Sequence, residues 1–246
     1  KVRSNGYACP QITVEAHAWD ETVRVDTDLG RRKRIGRFTA SNLEGLSFST
    51  LDRYKPFSIG DIYNIRKTQI MTERLLSDGL FQSAFFETTC NHDEALLELQ
   101  TSIGKPKIFR FGIGASTEEW PFFDLSFRNA RLDSQASSIT STLHISPRQQ
   151  SLGAESELYW FPGLSKVFFG PRLRLAREIE SAYQTDSGRF GADIGRRWDM
   201  WDTRFVGRWG PTLNFVKTSR GIGPENSTYP SVDASLLIAS HVYESL

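Results

Sequence analysis

Glu155 and Glu157 lie two residues apart, the spacing that places both carboxylates on one face of a β-strand. Paired carboxylates do general acid/base hydrolysis only inside a shaped pocket that drives their pKa values apart. Nothing in the surrounding sequence builds such a pocket, so the pair reads as a solvated strand face. His144 has serines on both sides, but no acid nearby in the sequence to orient its ring. It reads as a polar residue of the same wet face. The chain has no GxSxG elbow, P-loop or GxGxxG. Its 4 histidines, His17, His92, His144 and His241, are scattered and form no HExxH. Cys9 and Cys90 are too far apart for a CxxC motif. No catalytic residue, metal ligand or cofactor is therefore expected. The two cysteines are free thiols in a reducing compartment and a Cys9–Cys90 disulfide in an oxidising one.

The elements that would position these residues follow from composition and pattern. The 246 residues carry 30 Lys and Arg against 29 Asp and Glu, a net charge of +1. That balance argues against a nucleic-acid partner. Mean hydropathy is -0.39, and no apolar run approaches the ~18 residues of a membrane helix. Membrane β-barrels escape this test, because their strands alternate and average to a polar composition. The chain opens on Lys1-Val2-Arg3-Ser4 without an initiator Met or signal peptide, which reads as a processed or excised segment.

Before Lys105-Pro106-Lys107, helix-like and strand-like segments mix. Ile12 to Ala16 and Val23 to Asp26 alternate as strands. The basic run Arg31 to Arg34 leads into a strand around Phe38 and reads as a solvated turn. Ser49 to Tyr54 predicts a short helix halted before Pro56, and Ser58 opens a longer one. Ile62, Ile65, Met71, Leu75 and Leu76 fall near one face of it, and Gly79 supplies the left-handed C-terminal stop. Strands follow at Phe81 to Thr89 and Glu94 to Thr101, the second with Ala95, Leu97 and Leu99 on one face. The expected unit is α+β, with both helices on one face of a sheet.

After Lys107 the pattern is almost purely alternating. Phe109, Phe111, Ile113 and Ala115 share one face, and the alternation returns through to Leu236 and Ile238. About eight strands of about ten residues are predicted, the dyad signature of a membrane barrel. The polar face holds Glu155, Glu157, Arg172, Arg174 and Asp193, as a water-filled lumen would. Trp120, Phe122, Trp160, Phe161, Trp198 and Trp201 fall near strand ends, where an interfacial aromatic girdle belongs. Turns are expected at Trp160 to Gly163 and Thr185 to Gly188.

The stretch GDIYNIRKTQIMTERLLSDGLFQSAFF, Gly60 to Phe86, resembles the second helix and following strand of a POTRA domain of the Omp85 superfamily. GKPKIFRFGIGASTEEWPFFDLSFRNARL, Gly104 to Leu132, is similar to the first barrel strands of that superfamily. The resemblance implies an α+β POTRA domain followed by an antiparallel transmembrane β-barrel. It divides the chain into 1–30, the end of a preceding POTRA domain or a linker; 31–105, a POTRA domain; and 106–246, the N-terminal half of an outer-membrane barrel. The settings of Cys9 in ACP and Cys90 in TTC are also similar to those of the superfamily. Two departures stand out. The sequence has no VRGF-like motif, only a faint echo at Ser219-Arg220-Gly221-Ile222, and Tyr243 to Leu246 lacks a terminal aromatic. Both are accounted for if the chain holds the last POTRA domain and about half the barrel.

The resemblance implies an outer-membrane factor that inserts autotransporters or other β-barrel clients, with its POTRA portion in the periplasm. The partners it implies are unfolded barrel or autotransporter clients, a TamB-like partner anchored in the inner membrane, and the lipid and lipopolysaccharide bilayer. In the residues, the chemistry for this work is that of the backbone. Gly112 and Gly114 weaken the first barrel strand, so its edge, Phe109-Arg110-Phe111-Gly112-Ile113-Gly114-Ala115-Ser116, can open as a lateral gate and template a client strand. A second edge is expected at Phe81, Ala84, Phe85 and Phe86 in the periplasm. The rival expectation is a small outer-membrane channel or secretion pore with a periplasmic domain, and a barrel lipase is a more distant third.

Overall fold

The computed structural model describes residues 2–17, 19, 22–116, 121–161, 163–200, 203–220 and 225–240. The described residues form 13 strands and two α-helices in two compact units, one of Lys1–Glu44 with Tyr54–Gly104, the other of Gly45–Arg53 with Lys105–Leu246.

In the first unit, β1 (Gln11–His17) and β2 (Thr22–Asp28) form an isolated antiparallel hairpin. Val14 opposes Val25 and Ala16 opposes Val23, so one side is apolar, and both strands are exposed. β3 (Arg34–Ser41), β4 (Ser83–Asn91) and β5 (Glu94–Ser102) form a three-stranded sheet in the order β3-β5-β4. β3 runs parallel to β5 and β4 antiparallel to it. Helix α1 is Phe48–Leu51, and α2 (Ile65–Ser77) precedes β4. Asn64 caps α2 by accepting the Arg66 N–H at 2.9 Å. Gly79 ends it at φ 72°, with Gly79 N–H bonded to Leu76 O and Leu80 N–H to Leu75 O, the paired closure of a Schellman motif. The helix buries Thr68, Ile70, Met71, Arg74 and Leu75, and β5 buries Ala95, Leu97 and Leu99.

Three sequence expectations are corrected here. The long helix starts at Ile65, not Ser58, because Asp61 Oδ2 accepts the Ser58 N–H at 3.1 Å and closes a turn there. Ile62 is consequently off the helix and exposed. The short helix spans Phe48–Leu51 and belongs to the second unit, not to the face of the three-stranded sheet. There Thr50 Oγ1 donates to Ser134 O at 3.1 Å, and the Arg53 guanidinium donates to Ser165 O and Gln135 O at 2.8 and 2.7 Å.

The second unit is an eight-stranded antiparallel meander, each strand paired with the next. β6 (Lys107–Gly114), β7 (Phe122–Asn129), β8 (Ser138–Ile145) and β9 (Gln149–Glu157) are short. β10 (Val167–Ile179), β11 (Gln184–Met200), β12 (Thr203–Arg220) and β13 (Asn226–Ser240) are longer than the ten residues expected. The turn predicted at Thr185 to Gly188 lies inside β11, where Arg177 opposes Asp186 and bonds it at 2.6 Å, so the ladder continues past it. The sheet turns instead beyond Ile179.

Its two faces are inverted relative to a water-soluble sheet. Register puts Glu155, Arg172, Gly191 and Thr212 in one transverse row, and Asp193 on the same face one step along. On this face Asp193, Thr212 and Asn214 are buried. The opposite face presents Phe190, Ile194, Trp209, Val232, Leu236 and Ile238, all more than half exposed. The polar face is therefore the concave one. Along β11 the outward stretch from Gly188 to Trp198 rises about 25 Å at ~3.3 Å per residue and a ~40° tilt, the height of a lipid-facing band. Arg196 sits one outward step inside Trp198.

Candidate functional site

β6 ends the eight-stranded sheet on one side and β13 on the other, and no pairing joins them among the described residues. Each edge leaves a row of backbone N–H and C=O groups without sheet partners. In hydrocarbon such groups cost several kcal/mol apiece until another strand satisfies them. On β6 the outward side chains Phe109, Phe111 and Ile113 are 68%, 78% and 76% exposed, against 39% for Leu173 in the middle of the sheet. Among the described residues their lateral neighbour is β7, where the Phe127 ring meets Phe109 at 4.7 Å.

The structure shifts the expected first barrel strand two residues toward the N-terminus. Lys107 and Ile108 pair with β7, while Ala115 and Ser116 follow the last pair, Gly114 with Phe122. A side chain at Gly114 would overlap the Phe122 ring, so this glycine admits the aromatic that closes the ladder. Gly112 lies in the open, with Asp124 Cβ 3.8 Å from where its own Cβ would be. Arg110 shares the polar face with Asp124 and Ser126.

A second edge is β4, outermost in its sheet. Of the four residues expected there, Phe81 precedes the strand and is buried, Ala84 is buried, and Phe85 is exposed. Phe86 turns inward to meet Phe38 and Phe57 at 6.0 and 6.2 Å. A groove of about 260 Å³ separates β4 from α2, lined by Thr68, Gln69 and Thr72 opposite Phe85, Phe86 and Thr88. Cys9 and Cys90 form a disulfide, which ties the segment before β1 to β4.

The polar face of the large sheet holds its charges in ion pairs more than in solvent. Glu157 accepts from Arg197 and, at 2.6 Å, from Arg208, with Tyr159 OH at 3.2 Å. Glu155 lies 3.8 Å from Arg208. Glu157, expected to be solvated, is thus neutralised by arginines from β11 and β12, whereas Glu155 stays more than half exposed. Arg53 stacks on the Tyr159 ring at 3.1 Å, beside the buried Phe168 and Val206. Sequence reasoning missed this cluster, because only the register brings β9, β11 and β12 to one place.

His144 does have an acid beside it: Asp124 Oδ1 is 2.7 Å from Nδ1. Register sets Ser151 on the far side of His144, but no hydrogen bond joins the two among the described residues. The nucleophile–base contact of a triad is missing. No group of three or more His, Cys, Asp or Glu in metal-binding geometry occurs among the described residues. Of the girdle residues, Trp160 stacks on Phe169 at 5.3 Å and Trp198 on Phe205 at 5.7 Å. Phe161 is exposed. Phe122 is a correction, since pairing with Gly114 puts it on the polar face against His144. Trp120, Pro162, Trp201, Gly221, Ile222, His241 and Tyr243 to Leu246 lie outside the described residues.

No protein-family model matches the sequence, and no curated protein does. Solved structures do. BamA from Haemophilus ducreyi lacking POTRA domains 1–3 is similar over 96% of this chain and 49% of its own length, with 15% identity and a TM-score of 0.60. CdiB from Acinetobacter baumannii is similar over 97% and 48%, with 12% identity and a TM-score of 0.58. CdiB from Escherichia coli gives 97% and 47%, 12% identity and a TM-score of 0.57. The chain spans about half the length of these structures. At such identities the likeness is one of fold: the strands here follow the course of part of those barrel proteins.

Proposed function

We propose that this chain is part of an outer-membrane assembly factor of the Omp85 superfamily, one that inserts β-barrel or autotransporter clients by templating their strands at β6. The observation that carries the proposal is β6 itself, the first strand of the meander, which among the described residues pairs with β7 alone and turns Phe109, Phe111 and Ile113 to the apolar outward face. An incoming strand pairs with β6, satisfies its backbone groups and presents a fresh edge in turn, so no nucleotide or cofactor is needed. The likeness of fold to BamA and CdiB supports the reading.

The finer assignment is to a subunit like TamA of the translocation and assembly module. It rests on the POTRA-like stretch Gly60 to Phe86 and the barrel-like stretch from Gly104 to Leu132. On this reading 31–105 is a periplasmic POTRA domain and 106–246 half a barrel in a lipid and lipopolysaccharide bilayer. Residues 1–30 end a preceding POTRA domain or form a linker. The β4 edge and its groove beside α2 would receive client segments or a TamB-like partner. The cluster around Glu157 serves the wall of the barrel, with no enzymatic role. A charged concave face also suits a channel or secretion pore, in which β6 would never meet a client strand.

Cysteine pairing decides between the two. With a stalled client carrying a cysteine in its terminal strand, Phe111→Cys on β6 should give disulfide adducts, and Leu143→Cys on β8 should give none. Equal yields at both positions, or none at either alongside steady ion conductance, would establish the pore instead.

A further inference from the structure

The concave face carries a like-charge pair that its own carboxylates do not neutralise. Arg174 on β10 and Arg189 on β11 stand directly opposite each other in the register. Opposed like charges destabilise a sheet. Arg189 Nε donates to Asn214 Oδ1 at 3.0 Å, a neutral partner. The Arg174 side chain has no hydrogen bond or ion pair among the described residues. Their transverse row runs Thr142, Gly153, Arg174, Arg189, Asn214, Tyr229 and contains no acid.

The acids in neighbouring rows are held elsewhere, with one exception. Asp193 and Asp233 hold Arg172 at 2.8 and 3.4 Å. Glu157 holds Arg197 and Arg208. Glu155 lines the same cavity as the arginine pair, 3.8 Å from Arg208 and more than half exposed, a single carboxylate against two guanidinium groups. Glu178 accepts from Tyr183 at 2.8 Å. Around the arginine pair the wall opens into a cavity of about 450 Å³. Thr142 and Ser151, which line it, make no side-chain hydrogen bond among the described residues, so their hydroxyls are available as donors. Gly153 and Gly191 keep the floor low: a Cβ at either would come within 3.0 Å of a threonine hydroxyl.

We propose that this cavity binds the carboxylate side chains of an extended acidic peptide segment. Two guanidinium groups on adjacent strands present planar forks that match a carboxylate, and an acid between them converts their repulsion into charge-assisted hydrogen bonds. The cavity falls in the size range of sites built for ligands larger than a single inorganic anion. The acidic segment comes either from a client or from the protein's own chain, and the same chemistry serves both. The site does not depend on strand templating at β6, so failure of the β6 adducts would leave it standing.

The test uses the intact protein in lipid nanodiscs and a fluorescein-labelled peptide of alternating Glu and Gly, with its Gln-for-Glu analogue as control. Anisotropy should rise with the Glu peptide, fall back at high salt, and stay flat with the Gln peptide. Arg174→Gln with Arg189→Gln should weaken binding at least tenfold. Arg189→Glu supplies the acid internally, so it should abolish peptide binding while raising the melting temperature, which also reports that the variant folds. If the parent protein binds no peptide and the double Gln variant melts lower, the cavity is already filled by the protein's own acidic segment. If it binds none and that variant melts at the same temperature or higher, the proposal fails. Equal binding of the Gln peptide would overturn it as well.

Discussion

β5 and β11 obey the same period of two and resolve it in opposite senses. β5 buries Ala95, Leu97 and Leu99 and turns Glu94, Glu98 and Gln100 away from the core. β11 buries Gly191, Asp193 and Gly195 and leaves Phe190 and Ile194 exposed. Alternation dictates that a strand has two unlike faces. Which face turns inward depends on the medium outside: an apolar interior suits water, and an apolar exterior suits hydrocarbon. In water the inverted sheet would present a large apolar surface, well past what a monomeric soluble protein tolerates.

The largest expected effect that tests this contrast is at Asp193. Its side chain is 1% exposed and pairs with Arg172. Asp193→Ala leaves a cation on the concave wall without its nearest acid and should cost about 3–5 kcal/mol. Urea unfolding in micelles, followed by strand circular dichroism, reads the loss. A cost under ~1 kcal/mol would mean that the wall is wetter than a buried ion-pair network allows. Next comes the disulfide, which lies within the first unit alone. Cys9 and Cys90 are 81 residues apart, and closing such a loop is worth about 4.5 kcal/mol in the chain-entropy model. Cys90→Ala should lower the first unit's unfolding midpoint and leave the eight-stranded sheet's unmoved. A matching fall in both would show that they unfold as one. The sharpest discriminator is Phe190→Arg, an outward change on β11 at a residue 55% exposed. In a bilayer it should cost about 2–4 kcal/mol, whereas on a water-facing sheet it would be neutral. Phe190→Leu should be almost silent in either case.

Much of this contrast was legible beforehand. Gly79 and the spacing of Met71 and Leu75 mark α2 through local chemistry, but its start lies at the Asn64 cap and not at Ser58, where Asp61 closes a turn that resembles a helix cap. The strands after Lys107 could be counted from alternation. Their lengths could not, since Asp186 to Gly188 has turn composition but is held in the ladder by a cross-strand partner, Arg177. Gly112 and Gly114 are visible in the sequence, but whether a strand lies at the edge of a sheet depends on its neighbours, which no local signal encodes. Cross-strand partnerships were beyond reach for the same reason. Asp124 with His144, Glu157 with Arg208 and Arg174 against Arg189 are 20 to 51 residues apart or set by register alone.

The smallest effect sharpens the water-facing side. The Asp61 carboxylate accepts the Ser58 N–H, its main stabiliser, and a bond from Lys67 at 3.1 Å, which together hold its pKa below the ordinary 3.8. A lowered carboxylate pKa stabilises the fold above the unfolded value, and that contribution disappears as pH falls through the folded value. The window is therefore below about pH 4, with no Asp61 contribution to pH dependence near neutrality. The side chain is 40% exposed, so solvent screening limits the contribution to about a few tenths of a kcal/mol. Asp61→Asn keeps an acceptor for Ser58 and loses the charge facing Lys67. Its urea midpoint should sit slightly below that of the parent at pH 7 and converge with it toward pH 3. A constant gap across that range would assign the stabilisation to the turn's hydrogen bond rather than to the charge.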